Sequence, residues 1–330
     1  MTTSEFAQAQ SIDTAQIPII DISSAMNGTD LAYVASQIHR AASEIGFFYI
    51  KNHGIDARLI DRAFAVAKDF FDLPIDAKET IAVDQNQRGW MATGMSRLAG
   101  SNTHDLKEVF FWGTEVTADD PDLLAGRPLV APNQWPNDVF PRLHTELRPY
   151  YEAVCEAGKA VMSAIAVSLD APPDFFEGRY ASPLARGQMV YYPPSTSADE
   201  AEQRFGVAPH TDFGALTLLL QDQSGGLQVR TRDGVWIEAP PIEGTLVCNI
   251  GDLLQRWSND RFSSTVHRVI NRSKGARYSI PVFYDPNTNT LIDPIDLGVT
   301  SEQSKFEPVR AGEHIAGRNR KSFAQFKDAK

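Results

Sequence analysis

The chain has 330 residues, of which 42% are hydrophobic and 22% charged, so it can bury one large core or two small ones. Its net charge of −11 disfavours a nucleic-acid partner, since the average surface would repel a polyanion. The two cysteines are expected to be free thiols of a cytoplasmic protein. No apolar stretch predicts a membrane span or a secretion signal, and no obligate protein partner is inferred.

The N-terminal part is predicted to alternate helices with short strands. Residues 1–16 are interpreted as a loose tail, and residues 17–20 as an edge strand because of Pro18. Helical spacing of apolar residues predicts a helix over 31–45, capped by Thr29 or Asp30 and ended by Gly46. The elements that follow are predicted to be a buried strand at 47–50, a helix at 59–71, and a long helix at 143–165 that Pro149 should start late or kink.

The second half is predicted to be rich in short strands separated by glycine-containing turns. The predicted strands are 189–192, 215–220, 227–230, 235–237, 245–250, 265–270 and 278–284. Such spacing is typical of a sandwich or barrel, so the fold class is α+β with a mainly β jelly-roll core and helices packed outside it. The basic run at 318–321 is interpreted as a solvated end.

A possible metal site comes from His210, Asp212 and His267. His210 and Asp212 are two positions apart in a segment expected to be extended, so their side chains point to the same side. Two histidines and one carboxylate on one face of iron(II) leave positions open for oxygen and an organic co-ligand. A lone His-x-Asp is more often a turn, and a lone strand histidine a packed core residue. The interpretation therefore depends on the joint pattern.

A carboxylate grip is predicted beside this metal site. Arg277 and Ser279 are two positions apart on a strand, where a guanidinium fork and a hydroxyl face the same way. The hydroxyl of Tyr192, at the end of an earlier strand, is expected to reach the same carboxylate. Taken singly, Arg277 is better interpreted as a surface arginine and Tyr192 as a core aromatic, so the prediction depends on their arrangement around the metal site.

Two alternatives from other classes remain open at this point. A zinc hydrolase could use the same three ligands, although no His-Glu-x-x-His-like arrangement supplies a general base. A non-catalytic β-barrel binding protein could retain the fold, although no ligand position is lost.

The chain resembles the isopenicillin N synthase-like branch of the iron(II)/2-oxoglutarate-dependent oxygenases over most of its length. The segments that carry the resemblance are 17–21, 46–55, 70–74, 88–90, 105–108, 209–214, 225–229, 249–252, 267–269 and 277–279. The resemblance implies an N-terminal oxygenase module at 17–125, a helical connection at 126–180, a double-stranded β-helix at 181–290 and a C-terminal extension at 291–330.

The resemblance also implies the cofactors and their ligands. His210, Asp212 and His267 would bind Fe(2+), while Arg277 and Ser279 would bind 2-oxoglutarate, which is decarboxylated with O2 as an organic substrate is oxidised. Plant-type members often carry Asn where this chain has Val190, which weakens the assignment of 2-oxoglutarate. An oxidase of the isopenicillin N synthase type, which binds a substrate carboxylate at Arg-x-Ser instead, and an ethylene-forming variant remain alternatives.

The substrate is expected to be a small molecule held partly by residues 87–98. Trp90, Met91 and Met95 are predicted to supply an apolar wall, with Phe213 as a further contact. Arg97 is predicted to meet an anionic end of the substrate, although pairing with acids or solvent is an equally good interpretation.

Overall fold

The computed structural model describes residues 8–10, 17–98 and 101–322. Within these ranges the strands are β1 (Ile19–Asp21), β2 (Phe47–Lys51), β3 (Gly89–Met91), β4 (Glu108–Gly113), β5 (Arg186–Tyr192), β6 (Val207–His210), β7 (Leu216–Gln221), β8 (Leu227–Arg230), β9 (Trp236–Glu238), β10 (Thr245–Ile250), β11 (His267–Val269), β12 (Arg277–Tyr284), β13 (Leu291–Ile292) and β14 (Val309–Arg310). The α-helices are α1 (Ser23–Met26), α2 (Leu31–Glu44), α3 (Ala57–Phe71), α4 (Ile75–Glu79), α5 (Pro121–Leu124), α6 (Arg142–Ser168), α7 (Ser197–Ala201), α8 (Asp252–Trp257) and α9 (Ala311–Ser322).

Two sheets form the core of the fold. The larger has the strand order β1-β2-β10-β7-β12-β5-β4-β3, and the smaller has the order β6-β11-β8-β9. A buried apolar cluster draws on both sheets and includes Tyr49, Val190, Val229 and Val247. The arrangement is the double-stranded β-helix that the sequence predicts, with helices packed outside it.

Helices α2, α3 and α6 cover the other face of the larger sheet. The packing of β2 explains why its first four residues are all apolar. Phe47 and Tyr49 belong to the cluster between the sheets, and Phe48 and Ile50 belong to the cluster under the helices. Successive strand residues point to opposite faces, so a strand covered on both faces reads as a continuous apolar run.

The N-terminal segment completes the larger sheet. Strand β1 pairs in parallel with β2, and β2 lies against β10. Strands β3 and β4, which the sequence did not predict, extend the opposite end of this sheet through β5.

The helix predictions were confirmed with one exception. Helix α2 begins after Asp30, whose side chain accepts a hydrogen bond from the N–H of Tyr33, and it ends before Gly46 at a φ of +73°. Helix α6, however, begins at Arg142, well ahead of Pro149. Of the two effects expected of Pro149, the late start was wrong, because buried contacts such as those of Leu147 stabilise the turns that precede the proline, and the kink stays a prediction.

Both ends of the described chain form contacts with the rest of the protein that the sequence did not predict. Within the expected loose tail, Gln10 exchanges backbone hydrogen bonds with Trp236 and Glu238; residues 1–7 and 11–16 lie outside the described residues. Residues 318–321 belong to α9, where Arg318 forms an ion pair with Asp252. The prediction of a solvated end at 318–321 was wrong, because Asn319 is buried and Arg318 contacts Asp252 at the start of α8.

Candidate active site

His210, Asp212 and His267 converge at one end of the smaller sheet. His210 ends β6 and His267 begins β11, and the two are direct partners in the antiparallel register. Asp212 follows β6, and its Oδ1 lies 3.8 Å from His210 Nε2 and 3.7 Å from His267 Nε2. Their donor atoms all lie within 4.8 Å of one another, and no second such group of His, Cys, Asp or Glu occurs among the described residues.

Hydrogen bonds on the far side of each group orient the donor atoms. The Nδ1 atoms of His210 and His267 lie 2.8 and 3.1 Å from the carbonyl oxygens of Ala208 and Thr265. A carbonyl oxygen only accepts, so each Nδ1 carries a proton and Nε2, which faces Asp212, is the nitrogen placed to bind a metal. This is the usual outer support of a metal-binding histidine.

The carboxylate of Asp212 is held in the same way. Its Oδ2 accepts hydrogen bonds from Thr217 Oγ1 at 2.6 Å and from Asn249 Nδ2 at 2.8 Å. Oδ1 is thereby directed at the two imidazoles. The sequence analysis did not single out Thr217 or Asn249; the available signal was that each is polar within a strand predicted to be buried.

The electrostatics of His210 and Asp212 favour metal binding. Burial, reinforced by the neighbouring His267, lowers the pKa of His210 to about 4. Burial alone would raise the pKa of Asp212, but the two imidazoles and the hydrogen bonds from Asn249 and Thr217 outweigh it and hold that pKa below its ordinary value. At neutral pH His210 is therefore neutral and Asp212 ionised, which are the states that a divalent metal requires.

A cavity next to these groups, here called the inner cavity, contains the predicted carboxylate grip. Arg277 and Tyr192 are partners in the β12–β5 register, and the guanidinium carbon lies 4.6 Å from the centre of the Tyr192 ring. Ser279 Oγ lies 3.4 Å from the Tyr192 hydroxyl oxygen. All three side chains are buried and line the inner cavity together with His210 and Asp212.

Arg277 has one donor group that the protein does not use. Its Nε donates to the carbonyl oxygen of Gly225 at 2.6 Å, and an Nη2 atom lies 3.4 Å from Gln221 Oε1. Nη1 is buried and has no hydrogen-bond partner among the described residues. A buried guanidinium with an unused donor group facing a cavity fits the carboxylate of a bound organic acid.

A second cavity, here called the side cavity, shares His210 and Asp212 with the inner one. Its other walls combine aromatic, amide and cationic side chains, among them Gln87, Lys107, Phe111, Arg186, Phe213 and Asn319. Phe213, predicted as a substrate contact, is therefore beside the metal site. The sequence analysis did not identify Lys107, Arg186 or Asn319, because nothing local to each of them indicates a shared cavity.

Three predicted substrate residues lie elsewhere. The indole of Trp90 belongs to the cluster under the helices, and its Nε1 donates to Glu108 at 2.6 Å. Met95 is 43% exposed, and Arg97 is exposed with its Nε donating to the carbonyl oxygen of Ser101. The structure does not bring these three side chains to the inner or side cavity. Met91, on the opposite face of β3, is the residue that points between the sheets.

Comparisons with known proteins agree with this geometry. Residues 17–138 match the family described as "non-haem dioxygenase in morphine synthesis N-terminal", and residues 186–286 match the 2OG-Fe(II) oxygenase superfamily. The "Probable iron/ascorbate oxidoreductase" of Dictyostelium discoideum is 36% identical over 94% of this chain and 92% of its own length. A 2-oxoglutarate-Fe(II) type oxidoreductase of Emericella nidulans is 34% identical over 93% and 90%.

A solved structure, that of a full-length Neurospora crassa protein in complex with alpha-KG and thymine, has a TM-score of 0.80 and 29% identity over 92% of this chain and 96% of that one. The chain belongs to the 2OG-Fe(II) oxygenase superfamily. It is an oxidoreductase that uses Fe(2+), 2-oxoglutarate and O2, as predicted. None of these relatives is named as a zinc hydrolase or as a non-catalytic binding protein. No helix in the described part of the chain is long and apolar enough to cross a membrane.

Proposed function

We propose that His210, Asp212 and His267 hold the iron. The observation that carries the assignment is the convergence of two Nε2 atoms and one carboxylate oxygen, each fixed by a hydrogen bond on its opposite side. One carboxylate and two imidazoles on one side of an iron leave the other side for 2-oxoglutarate and oxygen. The buried neighbours Thr217 and Asn249 keep Asp212 in the required orientation.

We propose that 2-oxoglutarate lies in the inner cavity with its far carboxylate at Arg277, Ser279 and Tyr192. The free Nη1 of Arg277 supports this assignment, since a carboxylate oxygen would supply its missing partner. The neighbouring hydroxyls would donate to the second oxygen. Val190 lines the same cavity without a polar group, and Gln188, two residues earlier on the same strand, supplies an amide there instead.

Iron bound with 2-oxoglutarate supplies the oxidising chemistry, in which O2 converts 2-oxoglutarate to succinate and carbon dioxide and oxidises the primary substrate. The protein's own contribution is to position 2-oxoglutarate and the primary substrate and to exclude water. Arg277 and Ser279 set the direction of 2-oxoglutarate, while Phe111, Phe213 and their apolar neighbours leave little room for bulk water in the side cavity.

We propose that the primary substrate is a small molecule bound in the side cavity. The Neurospora crassa structure holds alpha-KG and thymine in one complex, which agrees with two adjoining cavities that share one metal site.

The Arg-x-Ser pair at Arg277 and Ser279 supports placement in the isopenicillin N synthase-like branch. The free thiols of Cys155 and Cys248 support a reducing, cytoplasmic location.

Metal binding and oxygen consumption together test these assignments. His210→Ala and Asp212→Ala are compared with the wild type and with His104→Ala, an exposed histidine outside the three-residue group. We expect the first two variants to keep a wild-type circular dichroism spectrum, to lose stoichiometric Fe(2+) in anaerobic equilibrium dialysis, and to lose 2-oxoglutarate-dependent oxygen uptake. Stoichiometric iron in either variant would refute the ligand assignment. Product analysis for succinate and ethylene separates the ethylene-forming variant from coupled substrate oxidation.

A further inference from the structure

A third cavity, here called the outer cavity, opens beside the side cavity. It is bounded by residues 85–86, by the segment 123–130 and by α9. Asn319 of α9 lines both the outer and the side cavity, so the two meet at this side chain. A molecule long enough to contact both cavities would therefore lie against Asn319.

Asn319 has an unused hydrogen-bonding group at this junction. The residue is 4% exposed, and its Nδ2 is buried without a partner among the described residues. A buried donor with no acceptor is unfavourable, and the cavities on both sides indicate that a bound molecule supplies the acceptor.

The outer cavity carries two cations that the described protein does not neutralise. Arg127 and Arg320 both line it, and neither forms an ion pair with another described residue. Asp84 and Asp122 adjoin the lining segments in sequence, but they accept hydrogen bonds from N–H groups of their own turn and from Asn289 and form no ion pair with either arginine. On a chain of net charge −11, such a pocket concentrates anions locally.

Two contacts of Arg318 hold α9 in place, and with it Asn319 and Arg320 beside the outer cavity. The guanidinium carbon of Arg318 lies 4.7 Å from the centre of the Phe213 ring, and its Nη2 lies 3.1 Å from Asp252 Oδ2. Phe213 directly follows Asp212. The helix that presents Asn319 and Arg320 is thus tied to the segment that carries a proposed iron ligand.

We propose that the outer cavity binds an oxyanion, a carboxylate or a phosphate, at the end of the primary substrate. Arg127 and Arg320 hold the anion, Asn319 donates to a polar atom in the middle of the molecule, and the part to be oxidised lies in the side cavity near the iron. The substrate is therefore an elongated organic anion rather than a neutral or cationic molecule. The oxidation part of this inference rests on the proposed function, whereas the anion site does not.

Inorganic phosphate tests the anion site without iron or 2-oxoglutarate. The full chain is titrated calorimetrically at low ionic strength as wild type, as the double variant Arg127→Gln/Arg320→Gln, and as the matched control Arg97→Gln, whose exposed arginine lies outside all three cavities. We expect the wild type and the control to bind phosphate equally and the double variant to bind at least tenfold more weakly. Equal binding by wild type and double variant, or no binding by the wild type, would overturn the anion site.

Turnover then tests the substrate class. Oxygen uptake with 2-oxoglutarate is screened against carboxylic acids, organic phosphates and the matched primary amides and alcohols. We expect the anionic member of a pair to have the lower KM, and each single arginine variant to raise that KM about tenfold while kcat changes little. A role of Arg320 only in stabilising the last turn of α9 predicts a lower Tm with unchanged KM, which would refute the inference. Neutral substrates that turn over as well as their anions would refute it too, whereas absence of any 2-oxoglutarate-dependent oxygen uptake would refute the proposed function instead.

Discussion

Thr217 Oγ1 lies 2.6 Å from Asp212 Oδ2, the carboxylate oxygen that faces away from the two imidazoles. Thr217→Val keeps the shape and the β-branching but removes this donor. We expect Fe(2+) affinity to fall about 10- to 100-fold, because partners of this kind orient a metal ligand. Anaerobic equilibrium dialysis measures it. Thr245→Val, which removes a hydroxyl bound to the carbonyl oxygen of Ile242, is the control and should bind iron normally.

Arg277→Lys tests the grip on 2-oxoglutarate. Lysine keeps the charge but loses the planar fork and the hydrogen bond that Arg277 Nε donates to Gly225. We expect the KM for 2-oxoglutarate to rise about 10- to 100-fold, in line with about 1.5–3 kcal/mol for a charge-assisted hydrogen bond, with a smaller fall in kcat. Arg310→Lys, on exposed β14, is the control. An unchanged KM for 2-oxoglutarate would show that its carboxylate is held elsewhere.

The buried ion pair between Arg186 and Asp285 supports the segment after the metal site. Arg186 Nη2 donates to Asp285 Oδ2 at 2.7 Å, and Oδ1 accepts the N–H of Ala215 at the same distance. Asp285→Ala leaves the Arg186 charge buried without its carboxylate, so the free energy of unfolding in urea should fall by about 3–5 kcal/mol. Adding Arg186→Met should restore part of the loss. A double variant less stable than Asp285→Ala would contradict this account.

Gly226 allows β8 to approach β11. Its φ is +90°, and a Cβ there would collide with the carbonyl oxygen of Ile270. Gly226→Ala should therefore lower the free energy of unfolding by more than about 1 kcal/mol and weaken iron binding, since β11 carries His267. Gly275→Ala is the control, because nothing lies within 4 Å of a Cβ at that position. Equal stability of the two variants would show that β8 can shift away from β11 at little cost.

The sequence by itself was sufficient to determine the fold class and the three candidate ligands. Both follow from short-range patterns: apolar alternation marks the strands, and the two-residue spacing of His210 and Asp212 places them on one side of the chain. Local patterns also identified Arg277 and Ser279 as a pair. The pairs His210/Asp212 and Arg277/Ser279 each need only the geometry of a single extended segment, whereas His267 joins its partners from a separate strand.

Only the tertiary structure decided which side chains surround these groups. Trp90 and Met91 show the reason: alternation requires them to face opposite ways, but only the pairing of β3 with β4 decides that Met91 faces the space between the sheets. Asn319 comes from a helix far along the chain, and Thr217 and Asn249 from two different strands. Contacts between distant segments leave no local periodicity in the sequence, so cavity walls and the supports of Asp212 emerge only when the two sheets and α9 are packed together.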